Sequence, residues 1–248
     1  MKNSTVKKSS FYLLGVLFIF LLWHVGFLHF SNDAIVPSIQ QTVNSFKGLL
    51  SDGYTYVVLG HTFLRLFIAI SVCFILGLIL ASLSKISYQF KAFIKPLFTL
   101  LKTLPIAVVI ILLIVMLSQN CLYYIVGVVV LPIIYEAILV GLDSIDKNII
   151  EEVKMDSNIT LRIIKDIYLP LSFPYIATSL LQSVGLGLKV LVMAEFIANT
   201  KHSIGYEIML QRDFGTDMGN VYAWSIILII FVVVVDAVVN FLKKKSLV

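Results

Sequence analysis

The chain has 248 residues, 59% of them apolar and 13% charged, with a mean hydropathy of +0.99. Soluble domains run at about half apolar and about a quarter charged, so this balance excludes an ordinary soluble domain. The net charge of +5 comes from basic residues dispersed over separate loops, which excludes the clustered basic surface of a nucleic-acid-binding protein.

The apolar residues come in runs long enough to cross a bilayer, and they do not alternate as barrel strands would. Open sheets leave backbone groups unpaired in lipid, so the expected class is an all-α polytopic membrane protein. The N-terminus, "MKNSTVKKSSFYLLGVLFIFLLWHVGFLHF", opens basic and continues as an apolar run from Phe11 to Phe30. That run is longer than the apolar core of a secretory signal and no small-x-small cleavage site follows, which predicts an uncleaved first span over 11–30. The segment Ile35–Leu50, opened by Pro37, predicts a short helix lying on the membrane. Further spans are expected at about 62–83, 97–117, 121–142, 173–197 and 221–242, making six in all. Between the last two, "IGYEIMLQRDFGTDMGN" predicts another short helix followed by a turn.

Pro96 and Pro105 flank the start of the third span, Pro132 lies in the fourth, and Gly185 and Gly187 lie in the fifth. Their expected role is kinking or close helix packing. Cys73 and Cys121 make no metal or redox spacing, and no metal site is expected. With the N-terminus inside, the lysines at 2, 7 and 8, at 85, 91, 95 and 102, and at 243–245 are all cytoplasmic, as are Lys147, Lys154, Arg162 and Lys165. Only Lys47, Arg65, Lys201 and Arg212 fall on the other side, an asymmetry that predicts an N-in, C-in orientation.

One cytoplasmic stretch, "NIIEEVKMDSNITLRIIKDIYLP" from Asn148 to Pro170, is charged and amphipathic where its flanks are greasy. Ile145, Ile149 and Val153 fall four apart, Asp156-Ser157-Asn158 are turn formers, and Leu161, Ile164 and Ile167 or Tyr168 resume a helical spacing. Pro170 cannot continue a regular helix without losing a hydrogen bond, and it marks the return into the membrane. Two such helices are too short to be stable alone, so their exposed face predicts docking of a soluble partner.

This stretch resembles the EAA loop of ABC-importer permeases, whose pattern is Glu-Ala-Ala, three residues, Gly, nine residues, Ile-x-Leu-Pro. Here Glu151-Glu152-Val153, Ser157 and Ile167-Tyr168-Leu169-Pro170 keep the spacing throughout. Glu152 and Val153 stand where the pattern has two alanines, and Ser157 stands for its glycine. "YEAILVG" at Tyr135–Gly141 has a literal Glu-Ala, but its spacing is one short and it lies inside the fourth span. The resemblance extends over most of the chain. "HTFLRLFIAISVCFILGLILASLS", "LFTLLKTLPIAVVIILLIVML", "GLGLKVLVMAEFIA" and "IGYEIMLQRDFGTDMGNVYAWSIILI" resemble successive segments of the nitrate/sulfonate/taurine-type permeases.

That resemblance implies the transmembrane domain of a type I ABC importer, a single permease domain over 1–248 with core helices at about 62–242 and a coupling loop at 143–171. It implies a bacterial inner-membrane protein that takes a small solute from an extracytoplasmic binding protein. It also implies two cytoplasmic ATPase subunits and a second permease copy, a homodimer or a pair. No G-x-x-x-x-G-K-[ST] occurs in the sequence, so ATP and Mg belong on the partner ATPase, and the chain itself is not expected to be an enzyme or to bind a cofactor. Glu151, Glu152, Val153, Ser157, Ile167, Leu169 and Pro170 are the implied ATPase-coupling residues.

Lys189 lies near the middle of the fifth span, where a lysine costs about 2.5–3.5 kcal/mol on insertion scales. It is either a charge lining the solute path or a partner of a carboxylate, helix-end carbonyl or water in the bundle. Glu195, six residues on, is excluded as an i,i+4 partner. Glu195, His61 and Arg65 are candidates for a gate, for contact with the binding protein, or for snorkelling at the interface. Two other functions compete. A gradient-driven secondary transporter would show internal repeats with paired broken helices. A CAAX-type intramembrane protease would need Arg at the sixth position of "EEVKMD", where Asp156 stands.

Overall fold

The computed structural model describes residues 2–30, 32–118, 121–145, 160–213 and 217–246. Helices account for almost all of them, and no strand occurs among the described residues. In chain order they are α1 (Lys2–Phe30), α2 (Ile39–Ser51), α3 (Gly53–Ile86), α4 (Tyr88–Thr103), α5 (Ile106–Leu117) and α6 (Cys121–Asp143). There follow α7 (Leu161–Ile197, which includes a π-helical turn), α8 (Ile204–Asp213) and α9 (Met218–Ser246). Among the described residues α3, α6, α7 and α9 are long and apolar enough to cross a membrane, and α4 with α5 makes a fifth if that bent pair counts as one span. The apolar stretch of α1, Leu14–Phe30, is shorter than these.

The expected third span, 97–117, is not one helix. It breaks between α4 and α5, which are bent by 98°. Leu104 is extended (φ −66°, ψ 132°) and so is Pro105 (φ −59°, ψ 127°). Pro105 has no N–H to offer, and its ring pushes the preceding residue out of the helical region. A new helix then starts on the Pro105 carbonyl, which accepts from Val108 and Val109 at 3.0 and 3.2 Å. Pro96, Pro132 and Pro174 sit inside continuous helices instead.

Pro170 behaves differently again. No new helix begins at this residue: α7 runs unbroken from Leu161 through Pro170. The turn just before it, Ile164–Tyr168, is π-helical, with the Leu169 N–H bonded to the Ile164 carbonyl five residues back. Widening the turn takes up the misfit between a proline ring and the carbonyl four residues earlier. The helix starts at Thr160, whose hydroxyl caps it by accepting from the Ile163 N–H at 3.4 Å. Of the two short helices expected in the polar stretch, the first and its turn at 156–158 lie outside the described residues.

By contact the chain divides into two compact units. One comprises Met1–Tyr56 and Glu207–Leu228. In it α2, the expected short helix after Pro37, is capped by Ser38, which accepts from Gln41 N–H at 3.1 Å. The Trp23 indole donates to the Pro37 carbonyl at 3.0 Å and packs on the Tyr222 ring at 5.4 Å between centroids. The Asp217 carboxylate accepts from Gln41 (3.0 Å), Ser45 (3.3 Å) and the Gly219 N–H (2.9 Å), joining α2 to the first turn of α9.

The other unit comprises Val57–Tyr206 and Ile229–Val248, with α6 at its centre. Over half of α6 (56%) is buried, against 17% for α9. Its heaviest packing is against α7. Glycines allow the close approach: a Cβ on Gly77 of α3 would lie 2.7 Å from Ile134 Cγ2 of α6. One on Gly187 of α7 would meet Ile70 at 3.0 Å, Leu66 at 3.3 Å and Val130 at 3.5 Å. This is the packing role expected for Gly187, whereas Gly185 faces Val232 only at 3.9 Å. Gly187→Val is therefore expected to destabilise the purified protein by about 1–3 kcal/mol through overpacking, read as a lower unfolding temperature in detergent. Gly185→Ala is expected to leave it unchanged.

Candidate functional site

Two polar clusters pin the ends of the second unit, and the charged residues singled out by sequence distribute between them and one exposed helix face. The first cluster surrounds Glu195, near the C-terminal end of α7. Its side chain is 0% exposed. Arg65 of α3 donates to Oε1 at 3.0 Å, Thr62 one turn earlier lies 3.1 Å from both carboxylate oxygens, and the Gly205 N–H donates to Oε2 at 3.4 Å. Thr62 Oγ1 also accepts from the Ile204 N–H at 3.1 Å, so one hydroxyl serves both the carboxylate and the start of α8.

The chain between α7 and α8 is shaped for this. Asn199 takes a left-handed conformation (φ 52°), and the Thr200 N–H returns to the Glu195 carbonyl at 3.1 Å, closing the helix in a Schellman arrangement. Ser203 Oγ donates to the Thr200 carbonyl at 2.6 Å and accepts from the Tyr206 N–H at 3.2 Å, capping α8. Gly205 then presses on α7 so closely that a Cβ there would sit 2.5 Å from Phe196 N and 2.6 Å from Glu195 Cβ, and would also meet the Val192 carbonyl.

The second cluster lies at the other end of the unit, where α3, α4, α6 and the π-turn of α7 meet. Lys85 Nζ donates to Asp143 Oδ1 at 2.6 Å and to the Leu142 carbonyl at 3.0 Å, and stands 5.3 Å from the centre of the Tyr168 ring. Lys91 donates to Asp143 Oδ2 at 3.1 Å. A third pair, Lys102 with Glu136, joins α4 to α6. Tyr168 is 1% exposed, in the turn that leads into Leu169 and Pro170.

The residues carried over from the coupling motif fall on both sides of the description. Ile167 and Leu169 are half-buried and Pro170 is exposed at this second end. Glu151, Glu152, Val153 and Ser157 lie outside the described residues. Of the pathway candidates, Glu195 and Arg65 are brought together as an ion pair, with no carboxylate oxygen of Glu195 exposed. His61 is exposed, its ring 6.2 Å from that of His202. Lys189 is exposed, and no hydrogen bond or ion pair reaches it among the described residues.

Sequence reasoning missed Thr62, Asp143 and Tyr168, and took Lys85 and Lys91 only as topology signals. The spacing of Thr62 and Arg65, three apart on one helix face, was the available signal for the first cluster. Asp143 is the one acid closing the fourth apolar run opposite a string of lysines, which was the signal for the second. At the exposed C-terminal end of α8, Arg212 bonds Asp213 at 2.5 and 2.9 Å, and these bonds hold the Asp213 carboxyl below the usual carboxylate range. Among the described residues no group of His, Cys, Asp or Glu is placed to hold a metal ion.

Glu195→Gln should preserve the shape of the first cluster but strand the Arg65 guanidinium, whose side chain is only 18% exposed. The expected loss is about 2–3 kcal/mol, below that of a fully buried pair because water still reaches Arg65. Pairing it with Arg65→Met should restore part of that loss in a double-mutant cycle of unfolding temperatures. Gly205→Ala, which forces a Cβ onto backbone atoms, should destabilise more than either and open the α7–α8 turn to proteolysis.

Against known proteins, residues 73–247 match the family described as "Binding-protein-dependent transport system inner membrane component". The fold is similar to a chain of the methionine ABC transporter MetNI solved in inward-facing conformations, with a TM-score of 0.67 at 12% identity, covering 75% of this chain and 92% of that one. No curated protein sequence matches. Because the family match takes in α4 to α9 and the C-terminal part of α3, with both polar clusters but for Thr62 and Arg65, the chain belongs to the binding-protein-dependent transport system inner membrane components.

Proposed function

We propose that this protein is the permease subunit of an ABC importer of the nitrate/sulfonate/taurine type. It moves a small solute, delivered by an extracytoplasmic binding protein, across a bacterial inner membrane. The family match over 73–247 supports the importer-permease part of this reading, and the resemblance of the coupling stretch and the apolar segments supports the type. ATP and Mg are bound by separate cytoplasmic ATPase subunits, and a second permease copy completes the membrane unit. In this reading six spans run N-in and C-in, so the Asp143 cluster is cytoplasmic and the Glu195 cluster lies on the far side.

The segment 143–171 is then the coupling loop. Glu151, Glu152, Val153 and Ser157 meet the ATPase, and Ile167, Leu169 and Pro170 connect the loop to α7. The Lys85–Asp143–Lys91 cluster supports this assignment physically. Both ends of the loop join helices that are cross-tied at that point, so a push on the loop is delivered to α3, α4, α6 and α7 together. Solute uptake requires such a rigid connection between hydrolysis and helix movement.

Co-expression with its ATPase and binding protein should give a complex that purifies as one assembly and hydrolyses ATP in proteoliposomes. In that complex Glu151→Lys or Ser157→Pro should lower ATP-driven uptake by about tenfold or more, equivalent to at least ~1.4 kcal/mol in coupling, while hydrolysis persists. Assembly and uptake unchanged by both substitutions would show that this segment is not the coupling loop.

A further inference from the structure

Helix α4 carries three distinct faces. Ile94 and Phe98 share one side, where both are buried and Phe98 meets the Tyr135 ring of α6 edge-on at 4.8 Å between centroids. On one flank of that stripe Phe93, Leu97 and Leu100 are all exposed, and at about 100° per residue they fall within an arc of about 60°. On the other flank Lys91, Lys95 and Lys102 fall within about 40°. Lys91 is bonded to Asp143 and Lys102 to Glu136. Lys95, between them in sequence, is exposed, and its side chain makes no hydrogen bond or ion pair among the described residues.

This helix is not placed as a span. It is bent by 98° from α5, and its two ion pairs show its slope against α6. From Lys91 to Lys102 α4 advances about 16 Å, whereas from Asp143 to Glu136 α6 covers about 10 Å. A helix that dips by about 10 Å, with an apolar flank and a basic one, has the depth and pattern of a helix lying between headgroups and acyl chains. Leu97 and Lys95 point about 160° apart, so the apolar flank can enter the acyl region while the ammonium stays at the headgroups. A protein partner fits this flank less well. Three side chains along about 10 Å of helix fall far short of the about 20–30 residues a side in a stable interface. The two acids with which α6 meets α4, Asp143 and Glu136, are already paired.

We propose that α4 is an interfacial helix that docks on anionic phospholipid of the cytoplasmic leaflet, with Phe93, Leu97 and Leu100 among the acyl chains and Lys95 on a headgroup phosphate. The choice of leaflet rests on the orientation given above, which puts the Asp143 cluster in the cytoplasm. The negative surface of that leaflet attracts each lysine near it, enough to enrich anionic lipid about fivefold around one such residue. The ammonium meets a phosphate as a compact point charge with three donors. Lys91 and Lys102 tie α4 to α6, and only Leu104 and Pro105 separate it from α5. Lipid held by α4 therefore sets where α5 starts relative to the leaflet surface.

Quenching by brominated lipid tests this in the full-length chain reconstituted in phosphatidylcholine vesicles. With Cys73 and Cys121 replaced by alanine, a bimane fluorophore is attached at Phe93→Cys or, on the polar side of the same helix, at Thr99→Cys. The vesicles carry a minor fraction of either brominated phosphatidylglycerol or brominated phosphatidylcholine. The label at 93 should be quenched by both lipids, and the label at 99 far less. Brominated phosphatidylglycerol should quench at 93 as strongly as an about fivefold larger fraction of brominated phosphatidylcholine. Adding Lys95→Gln should remove that preference, and adding Lys95→Arg should keep it. Quenching at 93 no stronger than at 99 would overturn the interfacial helix, and disulfide cross-linking between two Phe93→Cys chains would then assign the face to a second copy. A preference for phosphatidylglycerol that is absent, or that survives Lys95→Gln, would overturn the role of Lys95. Failure of the importer reading would appear elsewhere, as absence of ATP-dependent uptake by the assembled complex, and a reversed orientation as protease access to the N-terminus from outside intact cells.

Discussion

A carboxylate with no exposure has to be answered by donors from its surroundings, and around Glu195 that demand sets the local architecture. Leaving such a charge uncompensated in a low-dielectric interior costs more than most other packing errors. Arg65 and Thr62 must therefore come from one turn of α3, and the Gly205 N–H from the first turn of α8. That placement needs the left-handed Asn199, the Ser203 cap and a residue without a side chain at 205. A single buried charge thus fixes how α3, α7 and α8 meet one another.

The opposite end of the same unit uses the same physics with more water. Asp143 is 44% exposed and answered by two lysines, so each pair is individually weak. Its effect comes from position. Asp143 ends α6, Lys85 lies near the end of α3, Lys91 is in the first turn of α4, and Tyr168 packs beneath Lys85 in the π-turn of α7. Between the two polar clusters lies the apolar shaft of α6, with Ile125, Val126, Val130, Ile134 and Ile138 all fully buried. Close-packed interiors of this kind deform little.

Five prolines punctuate the helices of this unit, and their outcomes separate by context. Pro96, Pro132 and Pro174 are absorbed within continuous helices, as neighbouring helices and side-chain hydroxyls can take up a freed carbonyl. Pro105 breaks its helix, with Leu104 in the extended region. Pro170 does neither, because the preceding turn widens to a π-turn while Tyr168 and Ile164 stay buried. Each proline removes one donor. Whether the chain bends, breaks or widens depends on how firmly the residues on either side are held.

The sequence by itself determined the class, the apolar runs, the short helices after Pro37 and after residue 203, and the patterned polar stretch between the fourth and fifth runs. These rest on hydropathy, helical period and motif spacing, which are local properties of the chain. It also singled out Lys189, Glu195 and Arg65 as charges needing an explanation, because an ionisable group in an apolar run is anomalous whatever surrounds it. Only the tertiary structure decided what each explanation is. Glu195 and Arg65, 130 residues apart, satisfy one another inside the bundle, while Lys189, on the same helix as Glu195, is exposed and has no such partner among the described residues. The break at Pro105 and the widening before Pro170 were likewise undetermined by local pattern. Composition tells how many charges an apolar chain must accommodate, but pairing depends on which helix faces meet, and that is decided by packing across the whole unit.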